Sequence, residues 1–286
     1  MGIIAGLLAM LSWGTAIFLA AFASRKIGNV LTLFWMQAFG LVVAVIYFAI
    51  TFNSYQLEDN PENILILIAV AILQVIAYLA FYKGLEKGEV SLVSPIGATW
   101  GLVVVLLGVI FSNENLKPLQ IFAIIIITTG ILLLSLSTKS LKNLKKLDLS
   151  AGVKEGVIAM LGWGISLFLL SIPTKDMGWF LPTLIFRFFV IGILSFYLFG
   201  TGKMFTSTKG KFPLVLLIAI GIFDVAGFFS FSYGVEAEYA SLVAPIGSAF
   251  ALVTIILSLI FLKEKITLQK LFGIGGVVAG LILISL

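Results

Sequence analysis

The chain has 286 residues, 61% of them hydrophobic and only 11% charged, with a formal net charge of +5. Soluble domains carry roughly 45–50% apolar and about 25% charged residues, so most of this chain cannot have water as its solvent. With no cysteine and no histidine, disulfides, thiolate metal sites, a cysteine nucleophile and the commonest acid–base and metal-binding side chain are excluded, and neither a cofactor nor a metal is expected.

A bilayer core takes about 20 apolar residues per helix. Breaking the chain at charges, Pro/Gly clusters and polar loops predicts ten spans, at about 2–22, 30–50, 63–82, 90–111, 118–137, 156–172, 180–200, 213–233, 240–262 and 268–286. Runs such as "IFAIIIITTGILLLSLS" (Ile121–Ser137) lack the alternation of a membrane β-strand. The first run could pass for a signal peptide, with Ala21 and Ala23 as a small-x-small pattern. No Lys or Arg precedes it and it is as long as a full span, so it is read as a retained helix.

Spans one to four place Trp13 beside Gly14, then Gln37, then Gln74 and Tyr78, then "SLVSPIGATW" with Ser94, Pro95, Gly97 and Trp100. The linker "TKSLKNLKKLDLS" spaces Leu141, Leu144, Leu147 and Leu149 among lysines. It suits either an amphipathic helix on an anionic leaflet or a solvated loop. Spans six to nine place Trp163 beside Gly164, then Arg187, then Asp224, then "SLVAPIGSAF" with Pro245 and Gly247. Gly276 and Gly280 in the tenth span form a small-xxx-small pair suited to packing, with the fifth span as the expected neighbour.

Shifted by 150 residues, the chain matches itself without a gap. "GLLAMLSWG" (Gly6–Gly14) falls on "GVIAMLGWG" (Gly156–Gly164), and "FYKGLEKGEVSLVSPIG" (Phe81–Gly97) falls on "FSYGVEAEYASLVAPIG" (Phe231–Gly247) with 9 of 17 identities. Glu114 falls on Glu264 and Gly130 on Gly280. The predicted units are residues 1–137, a basic linker 138–151, and residues 152–286.

Five spans per unit is odd, so the second unit enters the membrane the other way up. Odd-numbered loops hold 15 Lys/Arg and even-numbered loops 2. Positive charge marks the cytoplasmic side, which puts the linker in the cytoplasm and both termini outside. The predicted fold class is an all-α integral membrane protein of ten transmembrane helices in two inverted five-helix repeats. Such repeats are a recurrent build of secondary transporters, with the substrate site at the repeat interface near midplane.

"MLSWGTAIFL" and "MLGWGISLFL", the Gly-x-Glu before Ser-Leu-Val-x-Pro-Ile-Gly, the following Glu114 or Glu264 and a Gly-bearing last helix together resemble the EamA repeat. The resemblance covers essentially the whole chain, twice. It implies a ten-helix member of the drug/metabolite transporter superfamily with a central cavity. Many such proteins export amino acids and other metabolites; others move sugars, nucleotide sugars or drugs.

Charges at membrane depth are costly and tend to face a cavity or a partner. Arg187 and Asp224 lie on consecutive antiparallel spans at depths matching to about one turn (~5.4 Å), so they can pair. Two roles fit them: a staple between spans seven and eight, or a site where Arg187 holds a substrate carboxylate or phosphate and Asp224 tunes it or takes a proton. Their copies are Gln37 and Gln74, suited to helix–helix hydrogen bonds or to a solute charged at one end. Trp13 and Trp163 suit cavity-lining rings or plain packing; Tyr78, Trp100 and Ser94 are further candidate contacts. Pro95, Gly97, Pro245 and Gly247 are candidate hinges, because Pro frees a carbonyl one turn back. Glu114 and Glu264 are expected at the N-terminal ends of spans five and ten.

The function expected is secondary transport of a small polar metabolite, an amino acid or similar carboxylate, by alternating access. Export from the cell across its cytoplasmic membrane is the direction read. A sugar or nucleotide-sugar porter and a lipid flippase are the alternatives. The expected partners are the solute and the bilayer, with protons as a candidate coupling ion through Asp224. The chain is expected to act as a monomer, since fusion supplies both halves. No enzyme is expected, because no nucleophile–base or metal constellation is present, and no basic domain for nucleic acid exists.

Overall fold

Residues 1–52, 60–87, 93, 96–135, 152–202, 213–263 and 266–286 are described by the computed structural model. Among them the chain runs as helices α1 (Gly2–Ile27), α2 (Asn29–Thr51), α3 (Pro61–Lys87), α4 (Trp100–Phe111), α5 (Pro118–Ser135), α6 (Val153–Met177), α7 (Phe180–Gly200), α8 (Leu214–Ala237), α9 (Ala240–Ser248), α10 (Phe250–Phe261) and α11 (Leu268–Ile284). Seven segments are long and apolar enough to cross a membrane, taking Ala240–Phe261 as one. The shorter apolar segments Ile96–Phe111, Pro118–Leu134 and Leu268–Ile284 bring the spans to ten. Four of the prolines sit at helix starts, where a missing N–H breaks no intrahelical bond: Pro61, Pro118, Pro182 and Pro213. The outward faces are apolar, as with Ile4, Leu8 and Leu11 on α1 or Val215, Ile218 and Ile222 on α8. Hydrocarbon, not water, suits such faces.

α1 packs chiefly on α8, α3 on α6 and α5 on α11. The first two pairs exchange under the 150-residue shift, and individual contacts follow. A side chain added at Gly14 would lie 2.5 Å from Val253 Cβ and 2.7 Å from the Phe250 carbonyl; at Gly164 it would lie 2.4 Å from Val103 Cβ and 2.9 Å from the Trp100 carbonyl. Gly130 meets Gly273 and Val277, and Gly280 meets Ala123 and Ile127, so α5 and α11 touch backbone to backbone. Even the turns match. Gly28 and Gly178 end α1 and α6 with φ of 81° and 78°, and Asn113 and Lys263 share φ of 51° and 52°. Two copies of one unit have kept one set of packing solutions.

The ninth span is not continuous. It breaks at Ala249, between α9 and α10, and Thr99 ahead of α4 is its copy. The break lies four residues past Pro245, not at the proline or at Gly247. Ala249 N–H donates to the Ile246 carbonyl (3.1 Å), one residue short of the α-helical acceptor, while Ser248 Oγ donates to the Pro245 carbonyl left over (2.9 Å). In the first repeat Thr99 gives both its N–H (3.2 Å) and its hydroxyl (2.7 Å) to the Ile96 carbonyl. A tightened 3₁₀ turn makes the kink in each repeat, and in the second a serine hydroxyl takes the spare carbonyl. Ser94, Pro95 and Glu264 lie outside the described residues.

Candidate functional site

Arg187 on α7 is fully buried. Its Nη2 donates to Asp224 Oδ2 of α8 at 2.8 Å, and its Nη1 donates to Gln37 Oε1 of α2 at 2.8 Å. Asp224 is 2% exposed, Gln37 2% and Gln74 3%. The guanidinium lies 4.9 Å from the Phe228 ring centre and 5.8 Å from that of Phe186. Gly40 makes room for it, since a Cβ there would stand 2.6 Å from Nη1. Gln37 and Arg187 are 150 residues apart, so they are copies of one another in direct contact. Copies that touch lie where the two halves meet.

Three buried polar atoms in this region have no partner: Arg187 Nε, Gln74 Oε1 and Trp163 Nε1. Buried donors and acceptors are ordinarily satisfied, and each exception needs a reason. Gln74, Tyr78 and Tyr82 recur every four residues on α3, so they stack on one face. Both tyrosines lie within electrostatic range of Asp224. Trp163 sits 5.2 Å from Tyr78 and 5.1 Å from Phe81, with Gly97 beneath it. Its copy Trp13 sits 5.2 Å from Phe228, 5.7 Å from Phe231 and 5.9 Å from Trp100, with Gly247 beneath it. Gly247 is therefore a seat for the Trp13 indole, and Gly97 one for the Phe81 ring with the Trp163 indole beside it. Trp13 and Trp100 are buried in a packed aromatic cluster, whereas Trp163 is half-buried.

Tyr82 was not among the residues singled out from the sequence, although the four-residue spacing from Gln74 through Tyr78 points to it. Glu114 corrects an expectation. It does not favour the start of α5, the helix that follows it. Its carboxylate accepts from the Ala240 and Ser241 N–H groups (3.1 and 3.0 Å) and caps α9 of the other repeat. A buried carboxylate needs donors, and a helix start across the bundle supplies two. Near it, Lys175 Nζ donates to the Glu236 and Glu238 carbonyls (3.2 and 3.1 Å), and Glu236 accepts from Trp179 N–H (3.2 Å). A cavity of about 310 Å³ lies here, at the ends of α4, α6 and α8, lined by Glu114, Ser171, Lys175, Asp176 and Tyr239 among others. The Arg187 cluster is closed.

These features define a helical membrane protein of ten apolar segments in two related halves, with a charged pair buried where they meet. A family model for the EamA-like transporter family matches residues 1–136 and again 151–286. The chain belongs to that family and is a membrane transporter of the drug/metabolite transporter superfamily. The Methanocaldococcus jannaschii uncharacterized protein MJ1333.1 is 31% identical over 136 residues, which are 47% of this chain and 96% of that protein. That relative therefore has the length of one repeat. A solved structure described only as a crystal structure of a protein aligns with a TM-score of 0.78 at 14% identity, covering 99% of this chain and 95% of its own. At that identity the likeness concerns the fold alone.

Proposed function

We propose that the chain is a secondary transporter of a small polar metabolite, an amino acid or similar carboxylate. In this reading its two halves are inverted repeats that alternate access to a site around Arg187. The observation that carries the reading is the arrangement at the meeting of the halves. Arg187 bridges Asp224 of its own half and Gln37 of the other, and Arg187 Nε, Gln74 Oε1 and Trp163 Nε1 are buried and unsatisfied. Unmet donors and an acceptor beside a guanidinium suit a solute with a carboxylate at one end. Tyr78, Tyr82 and Trp163 form the aromatic wall, and Trp13 and Trp100 pack the opposite side. The kinks at Thr99 and Ala249, with Pro245 and Gly247 just ahead of the second, are the moving parts.

The Lys/Arg bias supports a cytoplasmic linker and outward termini in a cytoplasmic membrane. Then the Glu114–α9 clasp and the 310 Å³ cavity lie at the outer face. Export follows the habit of the repeat's resemblance, and a monomer follows from the fusion of both halves. The test is a stability screen of purified protein against small metabolites, because a ligand that binds the folded state raises its melting temperature. Hits must vanish in Arg187→Gln. A hit retained at unchanged affinity in that variant makes the Arg187–Asp224 pair a staple and moves the site elsewhere.

A further inference from the structure

Well inside the spans, away from their ends, the sequence carries one positive and one negative side chain, Arg187 and Asp224, and they neutralise each other. Of the helices packed on α8, α7 brings Arg187, α2 and α9 carry no charged residue, and those of α1 and α6 sit toward helix ends. α3 brings Tyr78 and Tyr82 toward Asp224, and α2 brings Gln37. The cluster is thus neutral when empty, and a lone buried charge is strongly penalised.

Resting on the proposed substrate site, we infer that Asp224 stands in for the solute's carboxylate on Arg187, and that a carboxylate solute displaces it only as Asp224 takes up one proton. The incoming anion accepts from Arg187 Nη2 and the unpaired Nε. The proton, drawn from the water on that side, binds an Asp224 oxygen, which gives up its bond from Arg187 Nη2 and donates its new O–H to the incoming carboxylate. Loaded and empty forms both bury zero net charge, so both can reorient. The two mixed forms bury a charge and cannot. Solute and proton therefore move together, one for one and electroneutrally. In the first repeat Gln74 takes the place of Asp224 with its Oε1 unmet, which makes the second repeat alone the proton-bearing half.

The test uses the purified full chain with L-lactate, glycolate, pyruvate and 3-hydroxybutyrate as anionic probes and L-alanine as a zwitterion. Affinity is measured by thermal stabilisation from pH 6 to 8, where these carboxylates stay ionised. Binding coupled to one proton weakens tenfold for each unit of rising pH. That slope is expected for at least one anion with wild type. A flat profile is expected in Asp224→Asn and Asp224→Gln, and lost binding in Arg187→Gln. The Gln variant repeats the residue at position 74, so it guards against a folding failure of the Asn variant. An anion bound with a flat profile by wild type overturns the proton exchange and leaves the site standing. L-alanine bound with a flat profile while no anion binds overturns it too, since Asp224 then keeps its charge on the ammonium. No anion and no zwitterion bound overturns both readings.

Discussion

At the scale of residues, the account turns on four side chains at two related pairs of positions. Removing one member of a buried ion pair leaves an uncompensated charge and costs about 3–5 kcal/mol, whereas replacing both is often neutral. Arg187→Gln alone is therefore expected to lower the melting temperature clearly, and Arg187→Gln with Asp224→Gln to recover most of it. A differential scan of the three proteins checks this, and a double variant no more stable than the single would contradict it. Gly40→Ala is expected to push the guanidinium aside, because its Cβ falls 2.6 Å from Nη1; solute affinity should drop more than stability. Arg187 and Asp224 were legible in the sequence because a charge in an apolar run needs a partner. Their copies were legible because the register holds without a gap. The contact between Gln37 and Arg187 was not, since a periodicity says which residues are equivalent and not that equivalents touch.

Among helices, glycine decides how closely partners pack. Gly14→Ala and Gly164→Ala would each drive a Cβ within 3 Å of a neighbouring backbone carbonyl and a valine. Overpacking of this kind costs about 1–3 kcal/mol, and the two losses should be similar because the contacts are copies. Gly192→Ala, which meets nothing within 4 Å, should be neutral or slightly stabilising, as Ala favours helix over Gly by about 1 kcal/mol. Melting temperatures of the three variants check this; equal behaviour of all three would contradict it. The spans were legible from hydropathy and the α5–α11 packing from small residues. The kinks at Thr99 and Ala249 were not. Proline marks where a donor is missing, but the turn forms where the Thr99 and Ala249 N–H groups bond three residues back, with the Thr99 hydroxyl on Ile96 and the Ser248 hydroxyl on Pro245. Glu114 was misassigned to its own neighbouring helix because sequence distance hides a helix start folded in from 126 residues away.

For the whole molecule, the absence of cysteine gives a clean background for topology. Single cysteines at Ser112 and at its copy Leu262 are expected to label from opposite sides of the membrane, Ser112→Cys from outside and Leu262→Cys from the cytoplasm. Labelling of both from one side would remove the inverted arrangement. The two-unit plan was fully legible, since one register carries Trp, Pro, Gly and Glu together. The solute was not, because the register that relates the halves carries their shared packing, and only a few polar groups differ between them at the candidate site. The central claim is that those groups form the solute's site. The most direct measurement is uptake by proteoliposomes of the solute that stabilises wild type, comparing wild type with the Arg187→Gln, Asp224→Gln double variant, which gives the second repeat the first repeat's glutamines. A double variant that melts close to wild type but has lost uptake by at least tenfold is the predicted result. A double variant that folds and transports as wild type does would contradict it, leaving the buried pair as a staple alone.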